Sequence, residues 1–453
     1  MTQLLRTLRL RDVILLIIGS IIGSGIFLVP GEILRQVNHS LGTASLVWIA
    51  GGLLSLLGAF TYAELAAMKP HTGGLYVYVR DAFGPLAAFL YGWTLFLAVA
   101  SGTIASLAVA FSTYLDQIVP LSPTAQKVIA IAMIAVITAV NVWGTRQSSD
   151  MQNWSTGAKV LLILVLCGIL LTLGRGYSAI PQSLWTEPIS GSLLSRFGLA
   201  MIAVLWAYEG WQFVTYSAGE VIDPQKNFPK ALSWGVVFMA GLYLVTNLGY
   251  VAALGPARAA QSDAIAASSI AFVLGPSAAK LVAFIILISV FSATNTVSLT
   301  APRVFFAMAE DGLFFRKLAE VHPRFRTPAV AVIALGLWSA VMSMMGQFQE
   351  LISYTMFMAW IFYGLAAASI FVYRRKFPEL ARPYRVPGYP WTSLLFVLAS
   401  AALVLNVIAS TPKGAAIGLA LIALGLPAYF GWAHNRRQQE STEAASAHPP
   451  AAS

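Results

Sequence analysis

The feature that most constrains this chain is a series of long apolar runs, set too close together to belong to the single core of a water-soluble domain. Residues 160–173 are one example, fourteen in a row without a charge. The runs fall near 12–35, 43–68, 86–115, 125–144, 151–174, 196–220, 233–254, 278–308, 328–346, 350–373, 390–411 and 414–433. A spanning helix needs about 20 apolar residues, so 453 residues accommodate about twelve spans with short connections. Only 10% of the residues are charged, against roughly 25% in a soluble protein. Backbone inside a bilayer must satisfy its own hydrogen bonds, which leaves helices or a closed barrel. Barrel strands alternate apolar and polar positions over about 10 residues, and these runs do not. The fold class is an all-α membrane protein.

The formal net charge of +10 would raise the question of nucleic acid in a soluble protein. Here its placement answers that. With the N-terminus on the cytoplasmic side, nineteen Lys and Arg residues fall in inner segments and seven in outer ones, leaving aside Lys159 and Arg303 inside predicted spans. That is the positive-inside bias. It places both termini in the cytoplasm of a multi-pass inner- or plasma-membrane protein and excludes a nucleic-acid partner. The single cysteine, Cys167, lies mid-helix, so no internal disulfide forms. Residues 255–277 are long for a connector, and 264–274 reads as a helix within an external lid. The Gln-, Ser-, Ala- and Pro-rich tail 434–453 has no apolar periodicity and is expected to be disordered.

Two spans have irregular middles. The first contains Gly19, Gly23 and Gly25 within GSIIGSGIF, and the sixth contains Trp206, Ala207, Tyr208, Glu209 and Gly210 within WAYEGW. Each glycine costs a helix about 1 kcal/mol relative to alanine, so a cluster marks a break. The two lie five helices apart, which gives them opposite directions through the bilayer. Gly23 lies about twelve residues into its span and Glu209 about thirteen, or roughly 18–20 Å at 1.5 Å per residue. Both breaks are near the midplane, and paired interrupted spans are the best sequence pointer to a transporter's binding site. A half-helix that restarts after a break presents free N–H groups and the positive end of its dipole. Ser24, Gly25 and Ile26 can offer these to a carboxylate. Carbonyls freed at Ile21, and from Trp206 to Glu209, can accept from an ammonium. That pair of charges is common to every amino acid.

The order of further runs, YAEL (62–65), GGLYVYV (73–79), TAVNVWG (138–144), GEVIDPQKNFPKA (219–231), VTNLGYVAAL (245–254) and RPYRVPGYP (382–390), resembles the amino acid–polyamine–organocation superfamily, closest to its L-type amino acid transporter branch. The resemblance implies a LeuT-like fold. Repeat one covers about 12–174, repeat two about 196–373, and two extra helices about 390–433, all within a single domain 1–433. It also implies a sodium-independent amino acid transporter working by alternating access, an exchanger of neutral or cationic L-amino acids, with no cofactor and no metal.

By the same resemblance Ser24 and Gly25 match the carboxylate-binding backbone, Ile21 matches the carbonyl that receives the amine, and Trp206 matches the aromatic that covers the substrate from outside. Ala207 and Tyr208 share that segment. Lys159 falls where sodium-coupled relatives bind a cation, with its ammonium expected to bridge the Gly19 carbonyl to a hydroxyl such as Ser289. Glu209 departs from relatives selective for neutral substrates, which carry a small residue there. An acid would favour cationic side chains or carry a proton. Glu64 and Glu220, near cytoplasmic helix ends, read as solvated. Animal L-type relatives are disulfide-bonded to a heavy subunit through the loop between the third and fourth helices. The corresponding residues 116–124 hold no cysteine, so no such subunit is expected. Rival readings are a proton-coupled symporter and a sensor that binds amino acids without moving them. A membrane enzyme is disfavoured because all five histidines fall in loops or the tail.

Overall fold

A computed structural model of the chain describes residues 4–186, 188, 190–345 and 348–434, with only the backbone described for 348–356. The predicted tail, apart from His434, lies outside the described residues. Among those described, ten helices are long and apolar enough to cross a membrane, and a bent pair, Leu10–Ile21 with Gly25–Gln36, makes one further span. The seventeen-residue Ala329–Met345, at the lower end of spanning length, stands where a ninth span was expected. In order the others are Leu41–Met68, Pro85–Asp116, Pro123–Trp143, Thr145–Leu173, Gly191–Glu220, Pro224–Leu254, Pro276–Glu310, Phe357–Lys376, Trp391–Ser410 and Pro412–His434. These are called spans one to twelve below, with Ala329–Met345 as the ninth. The end of the bundle that holds the N-terminus is the N-face.

Several helix starts are chemically marked. Ser40, Ser122 and Ser190 cap spans two, four and six by accepting from Thr43, Ala125 and Leu193 amides at 3.2–3.3 Å, a role that suits a short hydroxyl side chain. Proline opens spans three, four, seven and twelve, where its missing N–H would be unpaired anyway. Burial then sorts the helices. Span eight is 78% buried along its most apolar window and span twelve only 17%, so the eighth is a central staff and the twelfth a lipid-facing outrigger. The connector between spans seven and eight forms two short helices, Pro256–Ala260 and Ile265–Leu274.

Three central spans are irregular. The first bends by 48° at residues 22–24. The sixth stops at Ala207, turns through Tyr208–Gly210, and resumes as a 3₁₀ helix, Trp211–Glu220. Gly210 makes that turn at φ +122°, and a Cβ there would lie 2.9 Å from the Ser20 carbonyl carbon. Only glycine fits both the dihedral and the approach. The third span contains a π-helical turn, Leu95–Val99, which the sequence did not signal. The Leu97 carbonyl in that turn accepts from Trp338 Nε1 of the ninth span at 3.0 Å.

Glu64 and Glu220 are fully buried, contrary to the expectation of solvated helix ends. The Arg374 guanidinium donates to both Glu64 oxygens at 3.0 and 2.7 Å, and the Val386 amide adds a third bond at 2.6 Å. Arg303 and Thr145 donate to Glu220, while the Glu220 carbonyl accepts from Thr7 and Leu8 amides. A sequence offers no view of these contacts, since they cross from one span to another. In the connection between spans two and three, Asp81 accepts from Lys69 and from Tyr373 near the end of span ten, and Arg80 donates to Asp81 and Asp311. Burial pushes the Asp81 carboxyl up, but the Lys69 and Tyr373 bonds and the Arg80 charge outweigh it and hold it below the ordinary aspartate value. These ties close the N-face.

Candidate functional site

The two breaks meet at one small cavity of about 60 Å³. Gly23, Ser24 and Gly25 supply one wall, and Trp206, Ala207 and Glu209 another. Thr103 and Ser106 of the third span and Ala293 and Val297 of the eighth complete it. Ser24, Gly25 and Ile26 open the second half-helix, so their amides precede its i→i−4 ladder and have no intrahelical acceptor. The Ser24 hydroxyl is buried without a hydrogen-bond partner. Such orphans are rare in native proteins and invite a ligand or water. An unspent helix N-terminus beside an orphan hydroxyl is a site for an anion.

Ile21 and Ala207 end the half-helices that lead into the two breaks. The Tyr243 hydroxyl lies 3.0 Å from the Ile21 carbonyl and 3.1 Å from that of Ala207. One hydroxyl carries one proton, so it serves one of these carbonyls at a time; the Ile21 carbonyl also accepts from the Gly23 amide at 2.9 Å, and either carbonyl has a lone pair left for an ammonium. Tyr243 sits in a run of apolar span-seven residues, and nothing in the sequence singled it out. Ile26 and the Tyr208 side chain do not line the cavity. The Tyr208 ring packs against Trp48 and Tyr243, its hydroxyl donating to the Trp48 carbonyl at 3.2 Å.

Lys159 is fully buried, fourteen residues into a fifth span that begins at Thr145 rather than near 151. That is roughly 21 Å at 1.5 Å per residue, too deep for the four-carbon stem to reach the N-face. Its ammonium donates to the Gly19 and Ile22 carbonyls at 2.6 and 2.7 Å, with the Ser289 carbonyl at 3.4 Å. Contrary to the expectation from sequence, the Lys159 ammonium does not bridge to the Ser289 hydroxyl. That hydroxyl instead lies 2.8 Å from both the Ile22 and the Gly23 carbonyls and donates its one proton to either of them. Lys159 and Ser289 thus share the Ile22 carbonyl and jointly hold the carbonyls that the first break releases. Gly19 also packs closely on span five, since an added Cβ would fall 2.0 Å from Gln152 Nε2.

Glu209 faces the same cavity from the sixth-span break. Its Oε1 accepts from the Tyr363 hydroxyl at 2.7 Å and from Gln212 Nε2 at 2.5 Å. Gln212 stood three residues from Glu209 as a polar residue in an apolar span, a signal that could have been read. Tyr363 could not have been, because it comes from the tenth span. Trp206 borders both this cavity and a larger one of about 630 Å³ toward the face opposite the N-terminus. The larger cavity is apolar within, with Glu32, Arg35 and Asp263 at its mouth. Trp206 therefore stands between the two.

The model of one protein family, described as amino acid permease, matches residues 8–428. Curated relatives align over nearly the same length. A serine/threonine exchanger of Bacillus subtilis is 32% identical over 92% of this chain and 94% of its own. The b(0,+)-type amino acid transporter 1 of Mus musculus is 31% identical over 95% and 90%. The large neutral amino acids transporter small subunit 2 of the same species is 33% identical over 92% and 78%.

Proposed function

The chain belongs to the amino acid permease family, and on that premise we propose that it is a sodium-independent exchanger of neutral and cationic L-amino acids. The observation that carries the reading is the single small cavity where unspent amides, an orphan hydroxyl and a carboxylate face one another. The substrate carboxylate binds the Ser24 and Gly25 amides, the two of the three that border the cavity. Its ammonium binds whichever of the Ile21 and Ala207 carbonyls Tyr243 leaves unserved. Glu209 meets the side chain, and Trp206 covers the bound molecule on the side of the larger cavity. The first five spans and the next five act as inverted halves that move around this point, with spans eleven and twelve outside the repeat.

Lys159 supports the sodium-independent reading. Its ammonium already supplies positive charge to a cluster of carbonyls at the first break, where a bound cation would otherwise act. The relative named as a serine/threonine exchanger supports exchange as the mode. The excess of Lys and Arg at the N-face supports a cytoplasmic position for both termini in a cell membrane. One relative is named a small subunit. In this chain, residues 116–124 hold no cysteine and Cys167 is buried in span five, so the protein works without a disulfide-linked companion.

Purified protein in liposomes, in sodium-free buffer, tests the reading. Labelled amino acid should accumulate in vesicles preloaded with unlabelled amino acid and not in empty ones. Equal uptake into empty vesicles under an inward proton gradient would replace exchange by proton symport. Saturable binding without any flux would identify a sensor.

A further inference from the structure

Glu209 is held by two side chains from different spans, and the way they hold it decides which of its oxygens meets the substrate. Gln212 is buried, with every hydrogen-bonding group committed: Oε1 accepts from the Gly210 amide at 3.2 Å, and Nε2 donates to Glu209 Oε1 and to the Tyr363 hydroxyl oxygen at 2.8 Å. Tyr363, also buried, receives that bond and donates its own proton to Glu209 Oε1. Its backbone carbonyl in turn accepts from the Tyr62 hydroxyl of span two at 2.8 Å. The triangle has no spare donor. Both bonds converge on Oε1, and Oε2 receives neither, while the residue borders the cavity.

We infer that Gln212 and Tyr363 are positioning residues for substrate selectivity: by claiming Oε1 they fix the Glu209 carboxylate so that Oε2 is the single acceptor offered to the substrate's side chain. The inference rests on the reading of Glu209 as the side-chain contact. One fixed, anionic oxygen suits a side-chain ammonium or guanidinium, or a hydroxyl, as donor. A side chain without a donor would leave that buried oxygen unmet, which is the costly case. Without the triangle the carboxylate can rotate and spend both oxygens on protein or water. Selectivity then falls although the charge remains.

The test compares Tyr363→Phe, Gln212→Met and Glu209→Gln with wild type in the exchange assay. KM and kcat are measured for lysine and for alanine, with thermal melting of each purified variant as a check on folding. Tyr363→Phe should raise the lysine-to-alanine KM ratio about tenfold to about a hundredfold, the scale of one hydrogen bond to a charged group. Gln212→Met should do the same, and neither should change the ratio further in a Glu209→Gln background, because the three act as one unit. If Tyr363→Phe and Gln212→Met change KM or kcat for both substrates by the same factor while Glu209→Gln alone shifts the ratio, the positioning role is wrong and the Glu209 contact stands. If Glu209→Gln leaves the ratio at its wild-type value, the underlying reading fails with it. Should Tyr363→Phe melt too early to assay, Gln212→Met decides alone.

Discussion

Gly25 offers a graded test of the first break, because its surroundings set the cost of each added methyl. A Cβ at this position would lie 3.0 Å from Ala207 Cα, 3.2 Å from Ala207 Cβ and 3.3 Å from Trp206 Cζ3. The nearest obstacle is backbone, which cannot rotate aside, so the half-helices of spans one and six must separate. Overpacking of this kind costs roughly 1–3 kcal/mol. If that cost falls on the closed, substrate-holding arrangement, Gly25→Ala weakens substrate binding about fivefold to about a hundredfold at 1.4 kcal/mol per tenfold. Gly25→Val should go beyond that range and abolish exchange. Gly168→Ala, where the added Cβ meets nothing within 4 Å, serves as the control and should bind as wild type. The assay is the rise in melting temperature on adding substrate to protein in detergent, with proteoliposome exchange alongside. A well-folded Gly25→Val protein with wild-type affinity would refute the placement of the site between these half-helices.

Lys159→Met should insert and fold but lose about fivefold to about a hundredfold in sodium-free exchange, since the Gly19 carbonyl loses its ammonium donor and an unmet buried acceptor costs roughly 1–3 kcal/mol. Wild-type flux in the variant, or sodium-dependent uptake by the native protein, would count against the role given to this lysine. Glu220→Gln leaves the Arg303 guanidinium buried without its counter-charge and should destabilise the protein by about 3–5 kcal/mol, read as a lower melting temperature. An unshifted melt would mean that this pair does not hold the N-face. Asp81, with its carboxyl held below the ordinary value, stabilises the N-face fully above about pH 4 and loses that contribution as pH falls through its lowered pKa. Asp81→Asn should therefore lower the melting temperature equally at pH 7.5 and pH 5, and a penalty already gone at pH 5 would contradict this.

The spans and the two breaks were legible because hydrophobic length and glycine clustering are local properties. Predicted and observed span limits agree within about three residues except at the starts of the fifth, sixth, seventh and tenth. The fifth begins at Thr145 because Thr145, Ser148, Gln152 and Thr156 form a polar stripe that span eight buries. A hydropathy reading places such residues outside the membrane. The seventh begins at Pro224, where Lys226, Asn227 and Lys230 likewise conceal helix. Candidate site residues on the broken segments themselves were within reach of sequence. Tyr243, Tyr363, Thr103 and Ser106 were not, since they arrive from other spans and nothing nearby in the chain marks them. The π-helical turn of span three carried no warning in LFLAV, and buried ionic pairs such as Arg303–Glu220 depend on contacts more than eighty residues apart in the chain.

A cryo-EM map of the protein with bound lysine is the most direct measurement of the central claim. Density is expected in the small cavity, with the carboxylate on the Ser24 and Gly25 amides, the side-chain ammonium within hydrogen-bond distance of Glu209 Oε2, and Trp206 closed over the molecule. Lysine density confined to the larger cavity beyond Trp206, with the small cavity holding only water, would contradict it.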